Sequence, residues 1–192
     1  MANGGSAMSK FTKAAIMQSF MKLLNETPFD KITIKDIVAD CGINRNTFYY
    51  NFKDIYALVD EILQSEANKI LKLHLERVSW NERLLTAANF ALQNKRAVYH
   101  LHNSAKRDQL KIYFERVVYG VIHEYVQSEA KGFDISERDA EFIAGFYCFA
   151  LMGLLEKWLD SGMKEDINEI IAKAGKLFDV NIKHAIRIIN KN

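Results

Sequence analysis

A single proline, Pro28, stands in 192 residues, far below the average of about 5%. Proline punctuates loops and sheet edges, so its scarcity argues against a loop-rich or many-stranded chain and for long, uninterrupted helices. Cysteine is almost as scarce. Cys41 and Cys148 lie far apart and match neither a zinc spacing nor a redox pair, which excludes a disulfide-stapled miniature and fits a reducing compartment. An excess of one charge is missing too: 26 bases face 24 acids for a net +2, so the chain is no polybasic coat and any nucleic-acid contact has to be local. In the C-terminal half the longest stretch without a charge, Phe142 to Leu155, has 14 residues, short of the roughly 20 that span a bilayer. It is expected to be a buried helix, with no membrane partner. The opening residues, MANGGSAM, have neither a basic start nor an apolar run, so they are expected to form a flexible leader rather than a signal peptide. A cytoplasmic protein follows.

What is present is an ordinary globular balance, 49% apolar and 26% charged, in a length that allows a small module joined to a larger one. Helical spacing of Phe11, Ala15, Phe20, Leu23 and Leu24 predicts a first helix ending before Pro28. Hydroxyl or carboxylate caps with an acid three residues on open further helices at Thr33, Ser79, Ser136 and Asp166. Others are placed near 54–77, 95–103 and 105–130. No alternating β-branched stretch of useful length competes, so the predicted fold is all-α with about nine helices. Helix length changes near residue 53, predicting a module at 9–53 and a larger helical domain at 54–192, with no linker or repeat between them.

The most informative stretch is Thr33 to Phe52. Gly42 can take the positive φ of a tight turn, and Asn44 beyond it has an oxygen suited to capping a second helix. Ile37, Val38 and Ala39 are expected to face inward on the first helix, with small Ala39 admitting the second. Phe48 and Phe52, four apart, share the buried face of that second helix. Arg45, Asn46, Thr47, Tyr49 and Tyr50 are left on or beside its open face. Arginine can pair with guanine, asparagine with adenine, and hydroxyls with phosphates. From Cys41 to Lys53 there are two bases, Arg45 and Lys53, and no acid. A glycine between two short helices is common in proteins that never touch DNA. The joint pattern is what carries weight: a Thr-capped helix, Ile37-Val38-Ala39, Gly42, then Thr47-Phe48-Tyr49 and Phe52 at fixed offsets, preceded by Pro28-Phe29-Asp30-Lys31-Ile32.

This pattern, across about residues 11–63, resembles the TetR/AcrR family of bacterial transcription regulators. The resemblance implies a three-helix helix-turn-helix module in which Thr33 meets a phosphate, Arg45 and Asn46 lie at the groove, and Thr47, Tyr49 and Tyr50 contact backbone or bases. Two positions depart from the family: Asn51 stands where a histidine is frequent, and Ile55 where a lysine often meets a phosphate. Lys53 is the candidate replacement.

Beyond residue 54 the resemblance is architectural, and it implies a helical domain that binds a small-molecule effector and dimerises through its last two helices. The segments 136–161 and 166–191, joined through Gly162-Met-Lys-Glu, fit an antiparallel hairpin. Its predicted dimer face comprises Phe142, Gly145, Phe146, Phe149 and Gly153 on one helix and Ile170, Ala174, Leu177 and Phe178 on the other. Burial of these faces within the same chain is the alternative. Phe90, Tyr99, Tyr113, Phe114 and Tyr147 are candidate ligand contacts, although aromatics at helical spacing are more often packing. His100 and His102 point to different faces and His123 is expected at the surface, so no metal site or cofactor is expected. Nothing combines nucleophile, base and orienter at recognisable spacing, and Cys148, within an apolar run, is expected to be inert. The expected function is a homodimeric, ligand-responsive repressor on a near-palindromic operator. The alternatives are an activator working with a partner protein, or a helical ligand carrier or enzyme whose N-terminal module only packs.

Overall fold

The computed structural model describes residues 4–75 and 80–189. Among them there are nine α-helices and no strand: α1 (Gly4–Glu26), α2 (Ile34–Asp40), α3 (Arg45–Asn51), α4 (Ile55–Leu75), α5 (Trp80–Gln93), α6 (Lys95–His102), α7 (Arg107–Glu129), α8 (Glu137–Asp160) and α9 (Ile167–Ile189). A 3₁₀ turn, Phe29–Lys31, follows Pro28, which ends α1 where the sequence places that end. The cap expected at Ser79 lies outside the described residues.

Several helix starts follow from side-chain oxygens accepting backbone N–H groups that have no partner inside the helix. Thr33 and Asp36 form a reciprocal capping box: the Thr33 hydroxyl accepts from Asp36 N at 3.3 Å, and Asp36 accepts from Thr33 N at 2.9 Å. Ser136 accepts from Asp139 N at 3.1 Å to start α8, and Asp166 Oδ1 accepts from Asn168 N at 2.8 Å where α9 begins. The α8–α9 turn closes on two left-handed residues, Gly162 at φ 82° and Met163 at φ 53°.

The chain divides into two compact units. The first takes residues 1–63 and 93–113, the second 64–92 and 114–192. In the first unit α1 is the spine. Ile16, Phe20 and Leu24 are fully or almost fully buried, spaced at one helical turn, and Phe29 meets Phe20 edge-on at 6.4 Å. Also in this unit, α6 packs against α1. The second unit is built on α7, α8 and α9. Its core gathers Ile122, Tyr125, Val126, Ile143, Cys148, Met152, Ala174, Phe178, Ile182 and Ile186. Trp158 is buried as well and donates through Nε1 to the Glu165 carbonyl at 3.2 Å. Burial of its seven Ile, Val, Met and Phe side chains, each contributing on the order of 1.5–3 kcal/mol, gives the second unit a core of its own.

Candidate nucleic-acid interface

The turn between α2 and α3 determines what α3 can present. Gly42 sits at φ 66°, in the left-handed region where a Cβ is strained. Asn44 then accepts from Thr47 N at 2.8 Å and starts α3. Phe48 is 0% and Phe52 4% exposed, their rings lie 5.8 Å apart, and α3 packs against α1. The Lys13 ammonium stands 5.6 Å from the Phe52 ring and pairs with Glu61 at 2.7 Å. α2 is held on α1 by Lys22, which donates to Asp40 at 2.6 Å, and by the buried Ser19 hydroxyl, which donates to the Ile37 carbonyl at 3.2 Å. Ala39 does not face inward as the sequence pattern predicts. It is exposed, and Ile37 alone on α2 is fully buried. Ser19, small and buried, lies where α1 meets α2.

With Phe48 and Phe52 fixed inward, α3 has an open face. Arg45, Asn46, Tyr49 and Tyr50 are all exposed, Tyr50 at 83%. Arg45 places its guanidinium 5.9 Å from the Tyr49 ring, which orients the fork without using its donors. Thr47 is half-buried, and its hydroxyl donates to Asn44 Oδ1 at 3.0 Å. It therefore supports the cap. Asn51 donates to the Thr47 carbonyl at 2.8 Å and so serves α3 itself. Thr33 is exposed at the start of α2, beside the free N–H groups of that helix. Lys53 is exposed immediately before Asp54, whose Oδ1 accepts from Ala57 N at 2.8 Å and caps α4. Lys53 thus stands one residue outside the α4 cap, and Ile55 is the first residue of the helix.

Three carboxyls of this unit are held below the ordinary carboxylate value of 3.8: Asp36 by hydrogen bonds from Thr33, Asp40 by Lys22, and Asp30 by the Ser104 hydroxyl and the Ala105 N–H. A depressed folded-state value stabilises fully above 3.8 and is lost as pH falls through the lower folded values. The urea midpoint of the first unit is therefore expected to drop between about pH 4 and pH 2. In the double variant Asp30→Asn, Asp36→Asn the midpoint should start lower and vary less with pH over the same range. Circular dichroism during urea titration checks this.

The dimer-face residues separate into two groups. Phe142, Phe146, Phe149, Gly153 and Leu177 are exposed and Gly145 and Ile170 half-buried, whereas Ala174 and Phe178 turn into the second unit's own core. The α9 stripe is completed by Val180 and Ile188, which are exposed and which the sequence reading omitted. A Cβ added at Gly145 or Gly153 would meet nothing within 4 Å, so in one chain both positions are open.

The ligand candidates fall in both units. Tyr113 stacks on Tyr56 at 6.4 Å and Tyr99 lies under Lys95 at 5.9 Å, both within the first unit. Phe114 and Tyr147 pack against the core of the second, Tyr147 at 5.1 Å from Phe178, and Phe90 is half-buried in α5. Burial pushes the Tyr147 phenol up. A groove of about 490 Å³ in the second unit runs between α8 and α9, past Leu154, Lys157, Trp158, Glu169, Ile170 and Leu177, and includes none of these five aromatics. His123 is not a free surface residue: it meets Glu137 at 3.1 Å and stacks on Tyr119 at 5.6 Å. His100 Nδ1 lies 2.6 Å from the Leu24 carbonyl, which can only accept, so Nδ1 carries the proton. Among the described residues no group of three or more His, Cys, Asp or Glu is placed to hold a metal. Burial pushes the Cys148 thiol up to about 11, away from reactive thiolate.

Residues 16–62 match the family model described as bacterial regulatory proteins, tetR family, and residues 79–179 match the model of a transcriptional regulator C-terminal region. Two solved structures share the fold. One is described as the dihydroxyacetone kinase operon activator DhaS, 17% identical, covering 90% of this chain and 97% of that one at a TM-score of 0.69. The other is a TetR transcriptional regulator from Streptococcus agalactiae 2603V, 19% identical, covering 98% and 99% at a TM-score of 0.60.

Proposed function

The chain belongs to the TetR family of bacterial transcriptional regulators, and from that premise we propose that it is a cytoplasmic, homodimeric, ligand-responsive repressor that reads a near-palindromic operator with α3. The observation that carries this reading is the division of α3 into two faces. Its aromatic anchors Phe48 and Phe52 are consumed by the core, while Arg45, Asn46, Tyr49 and Tyr50 are exposed on a helix with no acid. A short helix so anchored and so furnished suits the major groove.

The exposed apolar stripe on α8 and α9 supports dimerisation. Among the described residues α8 is the one helix long and apolar enough to cross a membrane by length and composition. Phe142, Phe146 and Phe149 repeat at one helical face rather than all round, which fits a facing helix pair better than lipid. Two reading helices must then sit one DNA turn apart, about 34–36 Å. An effector that prefers a dimer with another separation weakens DNA binding by its differential affinity for the two states. α4 begins in the first unit and ends in the second, which makes it the natural lever. One structural relative is described as an operon activator; at 17% identity the likeness is one of fold, and the open α3 face serves repression and activation alike.

Two substitutions test the division of labour in the interface. Asn46→Ala is expected to relax the sequence preference at one position per half-site, at a cost of about 1–3 kcal/mol. Thr33→Ala is expected to weaken all duplexes alike. Equilibrium binding to a panel of single-base operator variants distinguishes the two, and an unchanged preference in Asn46→Ala removes Asn46 from the reading face.

Gly145→Leu is expected to act in opposite directions on the chain and on the dimer. Open space surrounds the position within one chain, and leucine favours helix over glycine by about 0.8 kcal/mol. The folded subunit should hold or gain stability while the dimer dissociates more readily. Sedimentation velocity and thermal melting over a concentration series measure both signs.

A further inference from the structure

The first unit draws on two stretches of unlike charge. Residues 1–63 carry seven bases and seven acids, whereas residues 93–113 carry five bases, Lys95, Arg96, Lys106, Arg107 and Lys111, against Asp108 alone. The positive excess of this unit therefore comes from α6, the turn after it and the start of α7, and not from the helix-turn-helix. That stretch is bound tightly to the module. Ala97 N donates to Asn25 Oδ1 at 3.4 Å, His100 Nδ1 donates to the Leu24 carbonyl at 2.6 Å, and Asp30 accepts from the Ser104 hydroxyl at 2.6 Å and from Ala105 N at 2.9 Å. Ser104 is 7% exposed, so this is a packed joint.

The position of the joint gives it a consequence. Asp30 lies three residues before Thr33, the cap of α2, and Lys31 and Lys35 on either side of that cap are exposed. Lys106 follows Ala105 directly and is exposed. Its charge is close enough to help hold the Asp30 carboxyl low, after the Ser104 and Ala105 hydrogen bonds. Both Asp30 oxygens are engaged in those hydrogen bonds, and Lys106 forms no ion pair among the described residues. Lys31 and Lys35 thus flank the α2 cap in sequence, and the Ala105–Asp30 bond, across 75 residues of chain, brings the segment carrying Lys106 to the turn that precedes that cap.

We propose that the α6–α7 turn, through Lys106 at the Asp30 joint, is a second DNA-contacting surface that holds the phosphate backbone outside the bases read by α3. The partner is duplex DNA flanking the operator, recognised by charge and not by sequence. The inference rests on the DNA-binding reading above, and the test separates the two.

Wild type and Lys106→Gln are titrated, as full-length dimers, against two duplexes that carry the same selected operator. One ends at the outer edge of the half-sites; the other continues for about ten base pairs, one helical turn, on each side. On the short duplex the two proteins should bind equally. On the long one wild type should gain affinity, and Lys106→Gln should lose roughly three- to tenfold relative to it, with the salt slope lowered by about one to two for the two subunits. Lys106→Arg should restore both. Equal affinities and slopes on the long duplex overturn the proposal. So does an equal loss on both duplexes, which would place Lys106 within the reading head. A wild type that binds both lengths alike removes only the flank contact; one that binds no duplex removes the DNA reading and this surface with it.

Discussion

Phe146→Glu should turn a dimer into a folded monomer. Phe146 is 62% exposed in the isolated chain, between Phe142 and Phe149, which are as open; its ring contact within the chain is to half-buried Tyr147, edge-on at 5.3 Å. A contiguous exposed apolar helix face of this kind marks an interaction surface. In a two-fold interface every substitution enters twice, and each carboxylate would be desolvated without a partner, at about 3–5 kcal/mol per buried charge. The dimer dissociation constant should therefore rise by at least about a hundredfold. Helix content should be nearly unchanged, because the side chain is mostly exposed and is not among the residues of the subunit core. Operator binding should fall with the dimer, since one reading helix engages one half-site. Sedimentation velocity across micromolar concentrations measures the first effect, and an unchanged sedimentation coefficient would move the interface off α8.

Arg45→Ala and Tyr49→Ala should each cost operator affinity without touching assembly. The two side chains form one unit, guanidinium over ring at 5.9 Å, and Tyr49 is braced in turn by Phe48, edge-on at 5.7 Å. A bidentate arginine contact contributes about 1–3 kcal/mol of discrimination, and the two half-sites double it, so a loss of some thirtyfold or more is expected for Arg45→Ala. Tyr49→Ala removes the platform that orients the arginine as well as its own contact. The double variant should accordingly fall short of the sum of the singles. Full additivity would show that the stacking seen in the free protein has no part in recognition. Normal binding by folded Tyr49→Ala would assign the reading face to other residues.

Much of this was legible in the sequence because it is local. The caps at Thr33, Asn44 and Ser136 need one oxygen and one N–H within three residues, and Gly42 needs only its own φ. The pairing of Phe48 with Phe52 follows from helical spacing. Ala39 was misplaced for the same reason that made it look convincing: in a seven-residue helix a shift of one position moves a side chain off the buried face, and Ile37 alone on α2 is fully buried. α9 was ambiguous because it is apolar on two faces. Ala174, Phe178, Ile182 and Ile186 line the core while Leu177, Val180 and Ile188 are free, and spacing of three and four residues fits either set. The joint between α6 and the module could not be read at all. Asn25, Leu24 and Asp30 find partners 72 to 76 residues away, and no local pattern in either segment announces the other.

The most direct test of the central claim is to select bound duplexes from a random library with the purified full-length protein. The account predicts enrichment of a two-fold-symmetric site with half-sites one helical turn apart, bound with steep salt dependence. Protein shown to be folded and dimeric that enriches no sequence would contradict it, and would leave α3 as a packing element rather than a reader.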